Sequence, residues 1–237
     1  MKPKKDKQAN INLTFLIVVS VFGLLLSIFF VIHPASIKDN FPFRNLVAGS
    51  AFSILCISGI FAALFPSSCK AIPKIWKSNK NRDLPEFHEI TLRAHHPLCD
   101  NYSAHILSIG NMKFCATCSG LLVGATIVLL GTALCFFGNL RIGEPSTLVW
   151  VGTSGVTVGL LQSAFPKFSN GLTRFLASVI FVIGTFLLLV SINEATKNVS
   201  IDLFLIAVSL LWIQTKIALS QRDHQNICSR CTKKCCK

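Results

Sequence analysis

Apolar positions in this chain are bunched into six long runs, not spread in the alternating or 3.6-residue patterns of a soluble fold. The runs are Ile11–Ile32, Leu46–Phe65, Leu121–Phe137, Leu148–Phe165, Leu172–Ile192 and Ile201–Ala218. Each approaches or exceeds the ~18 to 20 residues that carry a helix across a bilayer. A continuous stretch such as FLIVVSVFGLLLSIFFVI cannot supply the alternating strands of a barrel, and only helices and closed barrels satisfy every backbone group in lipid. The pattern predicts an all-α, polytopic membrane protein with six transmembrane helices. Residues 1–65 hold the first helix pair, 66–119 a small His/Cys-rich loop, 120–220 a four-helix region and 221–237 a basic, Cys-rich tail.

Composition agrees with this class. The 237 residues are 51% hydrophobic and only 14% charged, too apolar for an ordinary soluble domain. Charge sets the expected orientation. With the N-terminus inside, 19 of the 23 Lys and Arg residues fall on the cytoplasmic side, leaving Lys38, Arg44, Arg141 and Lys197 outside. Cytoplasmic loops carry such an excess, so both termini are expected in the cytoplasm of a protein of the cell membrane. The net charge of +13 then faces anionic lipid headgroups, each basic residue contributing about 1 kcal/mol near the surface. Its scatter, without a reader motif, argues against nucleic acid as partner, and no motif names a protein partner. The first run is too long for a cleaved signal and ends in VIHPASIKDN, which reads better as a retained anchor.

Chemistry gathers before the third run, in HHPLCDNYSAHILSIGNMKFCATCSG. Under the expected topology Cys69, Cys99, Cys115, Cys118, Cys228, Cys231, Cys235 and Cys236 are cytoplasmic, where disulfide scaffolds are rare and metal binding or thiol chemistry is the common use of cysteine. The first half of the loop, with its prolines and lysines, reads as an interfacial linker that Trp76 would anchor. Its second half reads as a hairpin, Ile106–Ile109 and Met112–Phe114 around Gly110-Asn111, which delivers Cys115-Ala-Thr-Cys118 to the start of a helix.

A Cys-x-x-Cys pair is half of a tetrahedral zinc site. Cys99 and His105 are candidates to complete it, with His95 or His96 as substitutes. The helix N-terminus, with Thr117 or Ser119 as its expected cap, also favours thiolate over thiol. Thiolate is the form that binds metal and the form that attacks disulfides, so spacing leaves both uses open. The first expectation is a cytoplasmic zinc site of Cys99, His105, Cys115 and Cys118, with four protein ligands and no open catalytic position. The alternatives are a membrane thiol–disulfide oxidoreductase using Cys115 and Cys118, with the tail cysteines Cys228, Cys231, Cys235 and Cys236 as a second thiol cluster, or a transporter with the cluster as a metal sensor. Haem attachment is disfavoured because Ser119, not His, follows Cys118.

The membrane part shows few ionisable residues. Arg174, Asp202 and Lys216 lie near run ends and are expected to snorkel to the interface. Gly120-x-x-x-Gly124 and Gly155-x-x-x-Gly159 favour close helix approach. The fourth run, which also carries Thr153, Ser154, Thr157 and Gln162, is expected to pack centrally against the third, with Gln162 hydrogen-bonded to a neighbour.

The order His/Cys cluster, Phe-Cys-x-x-Cys-x-Gly, membrane helix, Gln, Ser-Asn turn and Arg resembles the domain-of-unknown-function 2085 family of prokaryotic membrane proteins. Cys99, His105, Phe114, Cys115, Cys118, Gly120 and Gly124 carry the resemblance, with Gln162, Ser169, Asn170 and Arg174 in the second half. It covers roughly residues 95–184. The chain departs from the family pattern in HHPLC, in Cys-Ala-Thr-Cys and in Thr157-Val158-Gly159. The resemblance implies a prokaryotic membrane location and a common fold, and it supplies no activity.

Overall fold

The computed structural model describes residues 3–34, 41–64, 105–109, 112–165 and 170–230. The described chain is mostly helical. It comprises α1 (Pro3–Ile32), α2 (Arg44–Leu64), β1 (Ile106–Ile109), β2 (Met112–Cys115), α3 (Ala116–Thr132), α4 (Pro145–Ala164), α5 (Gly171–Thr196) and α6 (Val199–Arg230). Five of the helices are long and apolar enough to cross a membrane. The exception is α4, 20 residues long, whose glycines, hydroxyls and Gln162 lower its hydropathy. Large apolar side chains such as Phe15, Ile54, Leu130 and Trp150 stand exposed on the outer faces, as lipid contact requires and water would penalise.

Helix directions alternate. At one end of the bundle Asn45 on α2 donates to Asn139 beyond α3 at 3.4 Å, and Asn193 on α5 donates to Asn45 at 3.3 Å. There α3 widens into a π-helical turn over Ala133–Phe137, and Asn139 takes the left-handed conformation at φ 53°, which asparagine tolerates better than most residues. α4 runs the length of the bundle, from Pro145, whose carbonyl accepts from Ser191 at 2.6 Å, to Ser163 beside Lys216. α1 and α6 pair antiparallel through Ser20 Oγ and Thr215 Oγ1 at 2.7 Å and the Trp212 Nε1–H to Ser20 carbonyl bond at 3.1 Å.

The central helix is α5, not the expected α4. Its apolar stretch is 61% buried, against 22% for α1, and both small-residue motifs seat on it. A Cβ at Gly152 would lie 2.8 Å from the Gly184 carbonyl oxygen, and one at Gly124 3.1 Å from Val182 Cβ. The glycines thus let α3 and α4 approach the backbone of α5 from two sides. The core around it is filled by Phe52, Val156, Phe181, Leu188, Leu189 and Trp212.

The expectation that charged residues snorkel outward is also corrected. Arg174 is 4% exposed, Lys216 3% and Asp202 0%. All three point into the bundle, because positions near a helix end still lie on a face and these share the face that packs. Gln162 is only partly buried, and no side-chain hydrogen bond is found for it among the described residues. The polar contact of that region belongs instead to Lys216, which donates to the Gly159 carbonyl at 3.0 Å and to Ser163 Oγ at 3.2 Å.

Candidate functional site

The hairpin forms as expected, with antiparallel register Ile106↔Cys115 and Ile109↔Met112. It sits on the first turn of α5, where a Cβ at Gly171 would run into the Ile106 carbonyl oxygen. Asn170 starts α5 through a reciprocal cap, its N–H donating to Thr173 Oγ1 at 2.8 Å. That close seat brings three charged or titratable groups together from distant parts of the chain.

Arg174 Nη1 lies 3.1 Å from His105 Nδ1, and Nη2 donates to Asp223 Oδ2 at 3.1 Å. The same carboxylate oxygen lies 3.1 Å from His105 Nε2. A guanidinium has only donors, so His105 Nδ1 must accept, and the imidazole proton belongs on Nε2, facing Asp223. Asp223 thereby neutralises a buried arginine and lies beside the histidine ring. Both ring nitrogens of His105 face protein groups on α5 and α6.

Directly after the hairpin, Cys115 is the N-cap residue of α3, with φ −70° and ψ 115°. This replaces the expected Thr117 or Ser119 cap. It occupies the residue position from which Ser, Thr or Asp usually caps the free N–H groups of a first turn. Cys115 is lowered from an ordinary thiol value of 9.0 to about 6. The largest cause is the hydrogen bond from the Cys118 side chain. Burial opposes it, while the N–H groups of Cys118 and Thr117 and the positive charge of Arg174 lower it further. Cys115 and Cys118 are both in the reduced form and both partly exposed.

The structure therefore brings Cys115 and Cys118 together and turns His105 toward Arg174 and Asp223. Cys99, His95, His96, Cys231, Cys235 and Cys236 lie outside the described residues, as do the side-chain surroundings of Cys228. Among the described residues no three His, Cys, Asp or Glu side chains form a metal-ligand group. Sequence reasoning misses Asp223, which falls within the expected basic tail. A signal is present all the same: Trp212, Lys216, Leu219 and Asp223 follow helical spacing, and α6 runs on through them to Arg230 with this stripe facing inward.

The fold and site define a helical protein, five of its helices fit to cross a membrane, with two partly exposed cysteines at one helix mouth. Compared with known protein families, with curated proteins and with solved structures, the chain matches none.

Proposed function

We propose that this protein is a membrane-embedded thiol–disulfide oxidoreductase that works through Cys115 and Cys118. The observation that carries the reading is the position of the Cys115 sulfur. It sits at the N-terminus of α3, receives the Cys118 thiol and feels the Arg174 guanidinium, so thiolate is the favoured form at neutral pH. A stabilised thiolate makes the corresponding disulfide oxidising, because the reduced form is held low in energy. Electrons accordingly flow from a substrate dithiol to the pair. One substrate thiolate attacks the Cys115 sulfur of the Cys115–Cys118 disulfide and expels Cys118. The second substrate thiol gives its proton to Cys118 and closes onto the first substrate sulfur, expelling the Cys115 thiolate. The substrate leaves as a disulfide, two electrons poorer. Burial of the Arg174–Asp223 pair beside the cap keeps the positive charge fixed where the leaving sulfur needs it.

The same reading takes all six helices as membrane spans, since 20 residues of α4 reach about 30 Å and traverse the bundle. The distribution of lysine and arginine puts both termini and the thiol pair on the cytoplasmic face of the cell membrane. The thiol pair also lies at a tight helix contact. Cys115, Cys118, Gly120, Gly124 and Arg174 all meet where α3 packs on α5.

The test is a redox titration of the detergent-purified protein with a small dithiol and its disulfide, read by alkylation and mass spectrometry. A two-electron couple confined to the Cys115/Cys118 peptide, and absent from Cys115→Ala and Cys118→Ala variants, is expected. About one zinc per chain, lost in the double variant, with thiols that resist alkylation until chelation, would replace this reading with the structural metal site.

A further inference from the structure

Between α2, α3, α5 and α6 lies a cavity of about 300 Å³ whose wall includes Cys118. This is the lower end of the range in which small-molecule pockets fall. From Cys118 at the mouth of α3 it extends along Phe181 toward Phe52 and the second thiol, Cys56. Among the described residues no charged side chain lines it. Its lining includes Gly59 and Ile217, both exposed on the outer surface of the bundle, and a Cβ at Gly59 would meet no atom within 4 Å. The cavity therefore opens sideways beside Gly59 and Ile217, within the α2 and α6 stretches that are apolar enough to cross a membrane.

A reduced thiol pair needs an electron acceptor to turn over. Here Cys118, in hydrogen-bond contact with Cys115, lines an apolar chamber that opens on the outer face of the bundle. We propose that the chamber receives a lipid-soluble quinone, which reoxidises the Cys115/Cys118 pair; this rests on the thiol oxidoreductase reading above. In the step, the Cys115 thiolate and the Cys118 sulfur form the S–S bond while the Cys118 S–H bond breaks. Two electrons pass to the quinone. It takes one proton from Cys118 and one from water at the bundle end, and leaves through the side opening as quinol. Phe181 and Phe52 contribute aromatic carbon to walls of the kind a quinone ring packs against. An acyl chain would fit the same walls but has no use for a thiol at the end.

The experiment uses the full-length protein in lipid nanodiscs, reduced, freed of reductant and mixed without oxygen with a decyl-substituted benzoquinone. One quinol per chain should form, together with a Cys115–Cys118 disulfide, and neither should appear with the Cys115→Ala/Cys118→Ala variant. Gly59→Phe, which fills the opening, should slow quinol formation about tenfold while alkylation of Cys115 by a water-soluble reagent keeps its rate. Two results overturn the proposal: no quinol from the wild type, as expected of a chamber filled by acyl chains, or an unchanged quinol rate in Gly59→Phe. If the pair still exchanges with a water-soluble dithiol and disulfide, the quinone site alone is wrong. If it is inert to both, the oxidoreductase reading falls with it.

Discussion

Arg174 on the first turns of α5 donates to Asp223 on α6 at 3.1 Å, with their side chains only 5% and 11% exposed. Breaking such a pair from one side leaves a desolvated charge, at a cost of about 3–5 kcal/mol, whereas replacing both partners with apolar groups is often neutral. Asp223→Ala should therefore lower the melting temperature sharply in detergent, and Arg174→Met/Asp223→Leu should restore most of it. Equal melting of the single and double variants would show that the pair is not coupled.

Cys115 offers a titration. Its value of about 6, against an ordinary 9.0, means that the fold prefers the thiolate. The associated stability is full above pH 9 and is lost as pH falls through about 6. Iodoacetamide should modify Cys115 with a rate that inflects near pH 6. Since the Cys118 hydrogen bond is the largest cause and Arg174 the smallest, Cys118→Ala should move the inflection upward further than Arg174→Met does. An inflection that Cys118→Ala leaves in place would refute this account of the thiolate.

The α4–α5 contact has no room for side chains at its glycines. A Cβ at Gly155 would lie 3.0 Å from the Ile180 carbonyl oxygen and 3.1 Å from Gly184 Cα. Gly155→Leu should destabilise by about 1–3 kcal/mol or more through overpacking. Gly59→Ala, in open space, should change stability by no more than about 0.5 kcal/mol. Thermal unfolding of both variants, followed by circular dichroism, makes the comparison.

Lys216 is buried with two acceptors and the Phe181 ring, whose centroid is 5.2 Å away, around its ammonium. Lys216→Met removes a desolvated charge and keeps most of the volume, so stability should stay within about 1 kcal/mol or rise. Lys216→Ala leaves a hole and should lose about 2–5 kcal/mol, as large-to-alanine changes in a core do. A Met variant as damaged as the Ala variant would assign the ammonium a structural necessity of its own.

Much of this fold is legible in the sequence because lipid imposes it. The six apolar runs mark the six helices, and Gly110-Asn111 between short apolar segments marks the hairpin. The Cys115/Cys118 pair is legible from its spacing and its place at a helix mouth. Partner choice is not. Gly155 and Gly159 announce a close contact but not with which helix, and α5 takes it because Gly184 offers bare backbone in return. Hydropathy averages along a run and is blind to direction, so Arg174, Asp202 and Lys216 read as interfacial when they point inward. His105 stands ten residues before Cys115 and reads as its co-ligand. The antiparallel register brings Ile106 opposite Cys115 and places His105 beside α5, a neighbour that spacing along the chain does not announce.

The thiol pair at the mouth of α3 has a mechanical side. Closing a Cys115–Cys118 disulfide removes the negative atom from the helix end and ties that end to its own first turn, so the turn must tighten or tilt. Two residues further on, Gly120 rests directly on the Phe175 carbonyl and Ser178, leaving no slack between the helices. A change in the oxidation state of two atoms would thus be delivered to α5 as a push, and through α5 to the helix packed on its other side.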